Sequence, residues 1–210
     1  GLSPQVADLN LGAGADEAVV ERTLATSGLR ARAGLGLMVR IERGEAVARF
    51  RGRAAPDRLG LGARCVLVRP DDPAAIAAAR AALRIPASVR PRLLVRASPR
   101  PRWSGAELFG VCTLYGTASV LPALDLSEAA AGLLDPRGRL VVQEILADRD
   151  PGLHRLLTMA ASRGLPGLAA LPFAESDGPQ VEDPAHALEV WRRSGLSALQ
   201  LGGSVLERDP

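Results

Sequence analysis

The stretch from Trp103 to Tyr115 places a carboxylate, a thiol, a hydroxyl and a phenol among glycines, directly after a run of arginines. Glu107 could act as a general base where partial burial lifts its pKa toward neutrality. Cys112 could act as a nucleophile beside a base or a positive charge. Ser104 and Gly105 could form a turn that presents backbone amides to an anion, with Tyr115 as a further ligand contact. The same stretch also fits a turn followed by a core strand whose small residues pack closely.

The arginines are spaced as a strand would space them. Arg90, Arg92, Arg96, Arg100 and Arg102 share one parity, and Leu93, Val95 and Ala97 share the other. Successive side chains in a strand point to opposite faces, so Arg92 and Arg96 share a face and the aliphatic residues face the core. Arg49, Arg51 and Arg53 repeat the pattern, with Phe50 opposite. If these segments and Arg40 lie on one sheet face, Arg40, Arg49, Arg51, Arg92 and Arg96 could clamp a phosphate or carboxylate group. The plainer reading is a solvated sheet face whose arginines pair with acids such as Glu42 and Glu45.

Composition narrows the chemistry. All 26 basic residues are arginine, so a Schiff-base lysine and a phosphate-loop lysine are both excluded. A bound anion must be held by guanidinium forks or backbone amides. The formal charge of +3 is mild and aromatic residues make up only 3% of the chain. Both facts weigh against nucleic acid, which calls for a larger charge excess and for stacking platforms. His154 and His186 each fall in the first turn of a predicted helix, without a second histidine or cysteine at ligand spacing, so no metal site is read. No cofactor can be named. Gly12-Ala-Gly14, Gly34-Leu-Gly36 and Gly60-Leu-Gly62 fall short of a dinucleotide fingerprint.

These residues need elements to position them. Asp72-Pro73, Asp150-Pro151 and Asp183-Pro184 are three copies of one helix-start signal, a capping carboxylate followed by proline at the first helical position. They predict helices over 74–83, 152–163 and 185–194; a fourth is predicted over 16–26, ending at Gly28, and a short one from Ser127 to Leu134. Strands are predicted over 37–41, 45–51, 64–69, 92–97, 108–115 and 140–145, with weaker ones over 196–201 and 204–206. The first two read as an antiparallel hairpin turning at Arg43-Gly44. The strand at 64–69 is apolar on both faces and reads as central. Residues 166–184, rich in proline, glycine and acids, read as a loop.

The fold expectation is α/β or α+β: a mixed, partly antiparallel sheet beginning with a hairpin and covered by about four helices. Residues 1–165 form the main domain, and 166–210 pack on it as a loop, helix and strand segment. Cys65 and Cys112 read as reduced structural thiols, consistent with the cytoplasm. The chain opens on Gly1-Leu2-Ser3, which reads as a processed start without a secretory signal. No apolar run is long enough to span a membrane. For function, the sparse catalytic inventory favours a non-enzymatic assembly protein with a protein partner or a homo-oligomeric state. The alternative is a binding protein or transferase for an anionic small molecule; whether the chain is an enzyme is left undecided by the sequence.

Overall fold

The computed structural model describes residues 16–33, 36–53, 62–97, 109–112, 117–120, 128–176 and 178–208. Ten strands form one sheet: β1 (Ala31–Ala33), β2 (Val47–Phe50), β3 (Arg64–Val68), β4 (Arg92–Arg96), β5 (Phe109–Cys112), β6 (Thr117–Val120), β7 (Leu140–Ile145), β8 (Leu168–Pro172), β9 (Ala198–Leu201) and β10 (Ser204–Glu207). Their order across the sheet is β1-β10-β9-β2-β3-β8-β4-β7-β6-β5. β2 runs parallel to β9 and β4 parallel to β7; the other neighbours are antiparallel.

The three Asp-Pro signals each open a helix: α3 (Pro73–Leu83), α4 (Pro151–Ser162) and α5 (Pro184–Ser194). In each, the aspartate accepts the backbone N–H three residues on, at 2.9 Å from Ala75, 2.9 Å from Leu153 and 2.8 Å from His186. Each bond satisfies an amide that the helix geometry leaves open. α1 (Glu17–Ser27) is capped by Asp16 and stops at Gly28, whose φ of 69° suits a residue without Cβ. α5 also ends on a left-handed glycine, Gly195.

Helices cover both faces of the sheet. α1, α3 and α5 pack on one face, against Phe50, Val66, Val68, Leu93, Leu171 and Leu199 among others. α4 and the short α2 (Leu37–Glu42) pack on the other, against Val47, Cys65, Leu67, Leu94 and Ala170. β3 is buried along its whole length, as a central strand must be. Trp191 and Val190 of α5 are core residues. The protein is therefore a mixed α/β fold with a mostly antiparallel sheet and, among the described residues, four helices of eleven or twelve residues besides the shorter α2.

Two local expectations are corrected. Residues 37–41 are helical rather than the first strand of a hairpin. Leu37, Met38 and Ile41 are buried while Val39 is 42% exposed. That spacing marks one helix face; the apparent alternation of Leu37, Val39 and Ile41 is too short to separate the two periods. The antiparallel neighbour of β2 is β3 instead. The second correction is β8, which lies inside the segment read as loop and runs between β3 and β4. Its sequence, Leu-Ala-Ala-Leu-Pro, is buried on both faces and carries no alternation. β1 and β6 are likewise additions to the strands expected from sequence. Within the short helix predicted from Ser127 to Leu134, residues 128–129 are helical and a 3-10 turn follows at Ala131–Leu133.

Candidate functional site

Strand register collects the site at one end of the sheet. Arg49 of β2 stands beside Gln200 of β9 on one side and Cys65 of β3 on the other. Its parity with Val47 turns it toward the face that α2 and α4 cover, where it is only 1% exposed. A guanidinium there needs partners for each donor. Nε donates to Gln200 Oε1 at 3.1 Å, Nη1 donates to the Gly62 carbonyl, and Nη2 donates to Asp150 Oδ2 at 2.7 Å. Asp150 thus has two tasks: Oδ1 caps α4 and Oδ2 neutralises Arg49.

Cys65 shares this row. Its Sγ donates to the Gly62 carbonyl at 3.4 Å, and burial pushes the thiol up to about 12. It is a protonated, free, packed thiol, not a nucleophile.

Arg64 begins β3 on the opposite face and is fully buried. Its guanidinium lies 3.6 Å from the centre of the Phe50 ring, an intimate cation–π contact. Nη1 donates to the carbonyls of Arg51 (2.7 Å) and Ala63 (3.0 Å), and Nη2 to that of Gly52 (2.8 Å). Nε is buried without a hydrogen-bond partner, and no carboxylate bonds to this group among the described residues. Burial, then the neighbouring Arg49, lower its pKa to about 10, so it is still a cation at neutral pH.

Arg51 completes the cluster. It is half-buried, and its Nη1 lies against the Cα of Gly152 in the first turn of α4, in the space that a Cβ would take. Its guanidinium has no hydrogen-bond or ion-pair partner among the described residues. Gly152 sits one residue inside the helix, where the backbone N–H groups point outward and carry partial positive charge. Of the three Asp-Pro helix starts, this is the one followed by glycine; Ala74 and Ala185 follow the others. That glycine is the sequence signal for a close approach here.

The remaining predicted residues fall elsewhere. Arg92, half-buried, and Arg96, exposed, share the sheet face of Arg49, but Leu94 between them is fully buried. Arg92 pairs with Ala170, which pairs with Leu67, which pairs with Val47. Three strand spacings, about 14 Å, therefore separate Arg92 from β2. Arg96 pairs with Ile145, whose side chain, like that of Leu94, lies against Gly62, the residue whose carbonyl accepts from Arg49; the Arg96 side chain itself is exposed. Arg40 lies on α2 and pairs with Glu45 at 2.7 Å and Glu207 at 2.8 Å. Cys112 belongs to β5, six strands across the sheet from β2. Ser104, Gly105, Glu107 and Tyr115 lie outside the described residues.

No protein-family model matches this chain, and no curated protein matches it in sequence. The site is therefore read from its own chemistry. Among the described residues no group of three or more histidines, cysteines and acids is placed to hold a metal, and no helix is long and apolar enough to cross a membrane. An open concavity of about 510 Å³ lies at the start of α3, away from Arg49 and Arg51, and is lined by Glu42, Arg43, Arg69, Asp71 and Asp72 among others. There Arg69 reaches both oxygens of Asp71 at 2.9 and 2.7 Å, and Glu42 pairs with Arg163 at 2.9 Å.

Proposed function

We propose that this chain binds a small anionic ligand, bearing a phosphate or carboxylate group, where β2 and β9 end and α4 begins. The observation that carries the reading is Arg51: a half-buried guanidinium, packed on a helix N-terminus and without an acidic partner among the described residues. The cap carboxylate of Asp150 stands at the same helix start but is engaged by Arg49 and by the Leu153 N–H, which leaves the donors of Arg51 open to an added anion. A guanidinium fork matches both carboxylate and phosphate geometry. Arg49 is fixed by Asp150, Gln200 and Gly62, so its role is to hold the β2 end and the α4 start in register.

Binding rather than catalysis is the activity these residues support, because Cys65 is protonated and Asp150 is engaged twice. The expectation of an assembly protein has less behind it. Among the described residues, the large hydrophobic side chains left exposed are Val39 and Leu146, and single exposed apolar residues are ordinary on a monomer surface.

Calorimetric titration of the chain with inorganic phosphate and with acetate tests the reading. At least one anion is expected to bind, with affinity reduced about tenfold or more in Arg51→Gln. Arg22→Gln, on the exposed side of α1 and across the sheet from α4, is expected to leave binding unchanged. Wild-type affinity in Arg51→Gln, or no binding of either anion to the native chain, overturns the proposal.

A further inference from the structure

We infer that the turn joining α3 to β4 is a docking surface for an acidic segment of a partner protein. Its residues lie outside the Arg51 cluster, so the inference does not depend on an anion binding there. From Pro73 to Ala97 the chain holds five arginines and no acid. Three of them, Arg80, Arg84 and Arg90, stand at the turn. Arg80, in the last turn of α3, donates from Nη1 to the Pro86 carbonyl at 2.9 Å and from Nη2 to the Val89 carbonyl at 2.6 Å. Burial, then the charge of Arg90, lower its pKa, as befits a cation with another cation nearby. Arg84 and Arg90 are exposed, and none of the three meets a carboxylate among the described residues. The turn after β8 packs alongside, its Ser176 N–H donating to the Leu83 carbonyl at 2.8 Å. Glu175 on that turn is already held by Arg193 at 2.7 Å. A shallow hollow between the two turns is lined by Ile85, Val89, Pro172 and Ala174 among others.

The backbone of Arg84 is the second observation. α1 and α5 end on left-handed glycines, Gly28 at φ 69° and Gly195 at φ 76°. α3 ends in the same conformation on Arg84, at φ 53°. A Cβ is disfavoured there, and glycine is the residue that such helix ends select. Arg84 gives the fold little in return: its guanidinium has no hydrogen bond or ion pair among the described residues, and Arg80 already supplies a cation to the helix C-terminus. An outlying backbone kept for an unengaged surface cation points to a partner outside the chain. Guanidinium forks match carboxylates, and the hollow beside them suits an aliphatic side chain, so the occupant is a polypeptide in which acidic and aliphatic residues adjoin. Nucleic acid fits less well. The large hydrophobic side chains exposed among the described residues are Val39 and Leu146, which offer a base no aromatic platform.

Anisotropy titrations of the full chain with a labelled peptide of alternating glutamate and valine test the inference. That peptide is expected to bind at least about tenfold more tightly than its glutamine counterpart, and to weaken as salt rises. Arg84→Gly is expected to lose about threefold or more, and the double variant Arg84→Gly, Arg90→Ser about tenfold or more. Arg51→Gln is expected to bind the peptide as the native chain does. In urea, Arg84→Gly is expected to be as stable as the native chain or more so. Equal affinity for the two peptides, or native affinity in the double variant, overturns the inference and leaves the Arg51 reading standing. Oligothymidylate binding more tightly than the acidic peptide through the same arginines overturns it in favour of nucleic acid. Lower unfolding stability in Arg84→Gly would make Arg84 a helix cap and remove the backbone argument with the inference. Should the double variant not fold, Arg90→Ser, which leaves the end of α3 intact, is read by the same titration.

Discussion

Asp150 Oδ2 lies 2.7 Å from Arg49 Nη2, and this pair fastens the start of α4 to the end of β2 across 101 residues of sequence. Arg49 is almost wholly inaccessible, while Asp150 keeps 23% of its side chain in water. The carboxylate is thus the group that the rest of the site depends on.

Removal of that carboxylate should cost far more than a helix cap. Asp72 caps α3 by the same bond without a buried arginine attached to it, which makes it an internal reference. Asp72→Ala is expected to lose about 1 kcal/mol in urea unfolding. Asp150→Ala strands a buried cation as well and is expected to lose about 3 kcal/mol. Asp150→Asn, which can still cap, should fall between them. Equal losses in the two alanine variants would mean that the Arg49 pair contributes nothing net.

Gly152→Ala separates the site from the scaffold. A Cβ at this position would displace the Arg51 guanidinium, the far end of a flexible side chain. Alanine is meanwhile the better helix former by about 1 kcal/mol. The variant is expected to be as stable as the native chain or slightly more so, yet to bind anion about fivefold more weakly or worse. Loss of stability with affinity intact would place Arg51 in a purely structural role.

What is legible in the sequence is chemistry that acts within a few residues. The Asp-Pro caps of α3, α4 and α5 each engage an amide three positions away, so sequence alone locates those helix starts. The apolar run at 64–68 marks a central strand because both its faces are buried. β8 escapes notice because a short, doubly buried strand of leucine and alanine carries no periodic signal, and glycine and proline surround it. The parity of Arg49 and Arg51 is visible, but the burial of Arg49 is not. Its partners Asp150 and Gln200 lie 101 and 151 residues away, and only the parallel pairing of β2 with β9 brings Gln200 alongside. For Arg64 the strand is visible and the stacking on Phe50 is not.

The pH dependence of folding should show two opposed contributions from carboxyl groups away from the site. The backbone N–H groups of Arg139 and Arg137, with the Arg139 guanidinium, hold Asp135 below the usual carboxylate range. The Arg69 fork does the same to Asp71. Between the depressed folded pKa and the unfolded value of about 3.9, the unfolded chain binds more protons than the folded one. Stability from these two groups is therefore complete above about pH 4 and is lost as pH falls below it. Glu144 of β7 is displaced the other way, since burial raises its pKa. Its folded form holds a proton that the unfolded chain has released, so its contribution is lost as pH rises past the unfolded value of about 4.3. Urea unfolding from pH 2.5 to 7 is expected to show a steep acid limb that Asp135→Asn or Asp71→Asn makes shallower. Glu144→Gln should leave that limb alone and raise stability on the neutral side. An acid limb indifferent to both aspartate substitutions would remove these two carboxylates as its source.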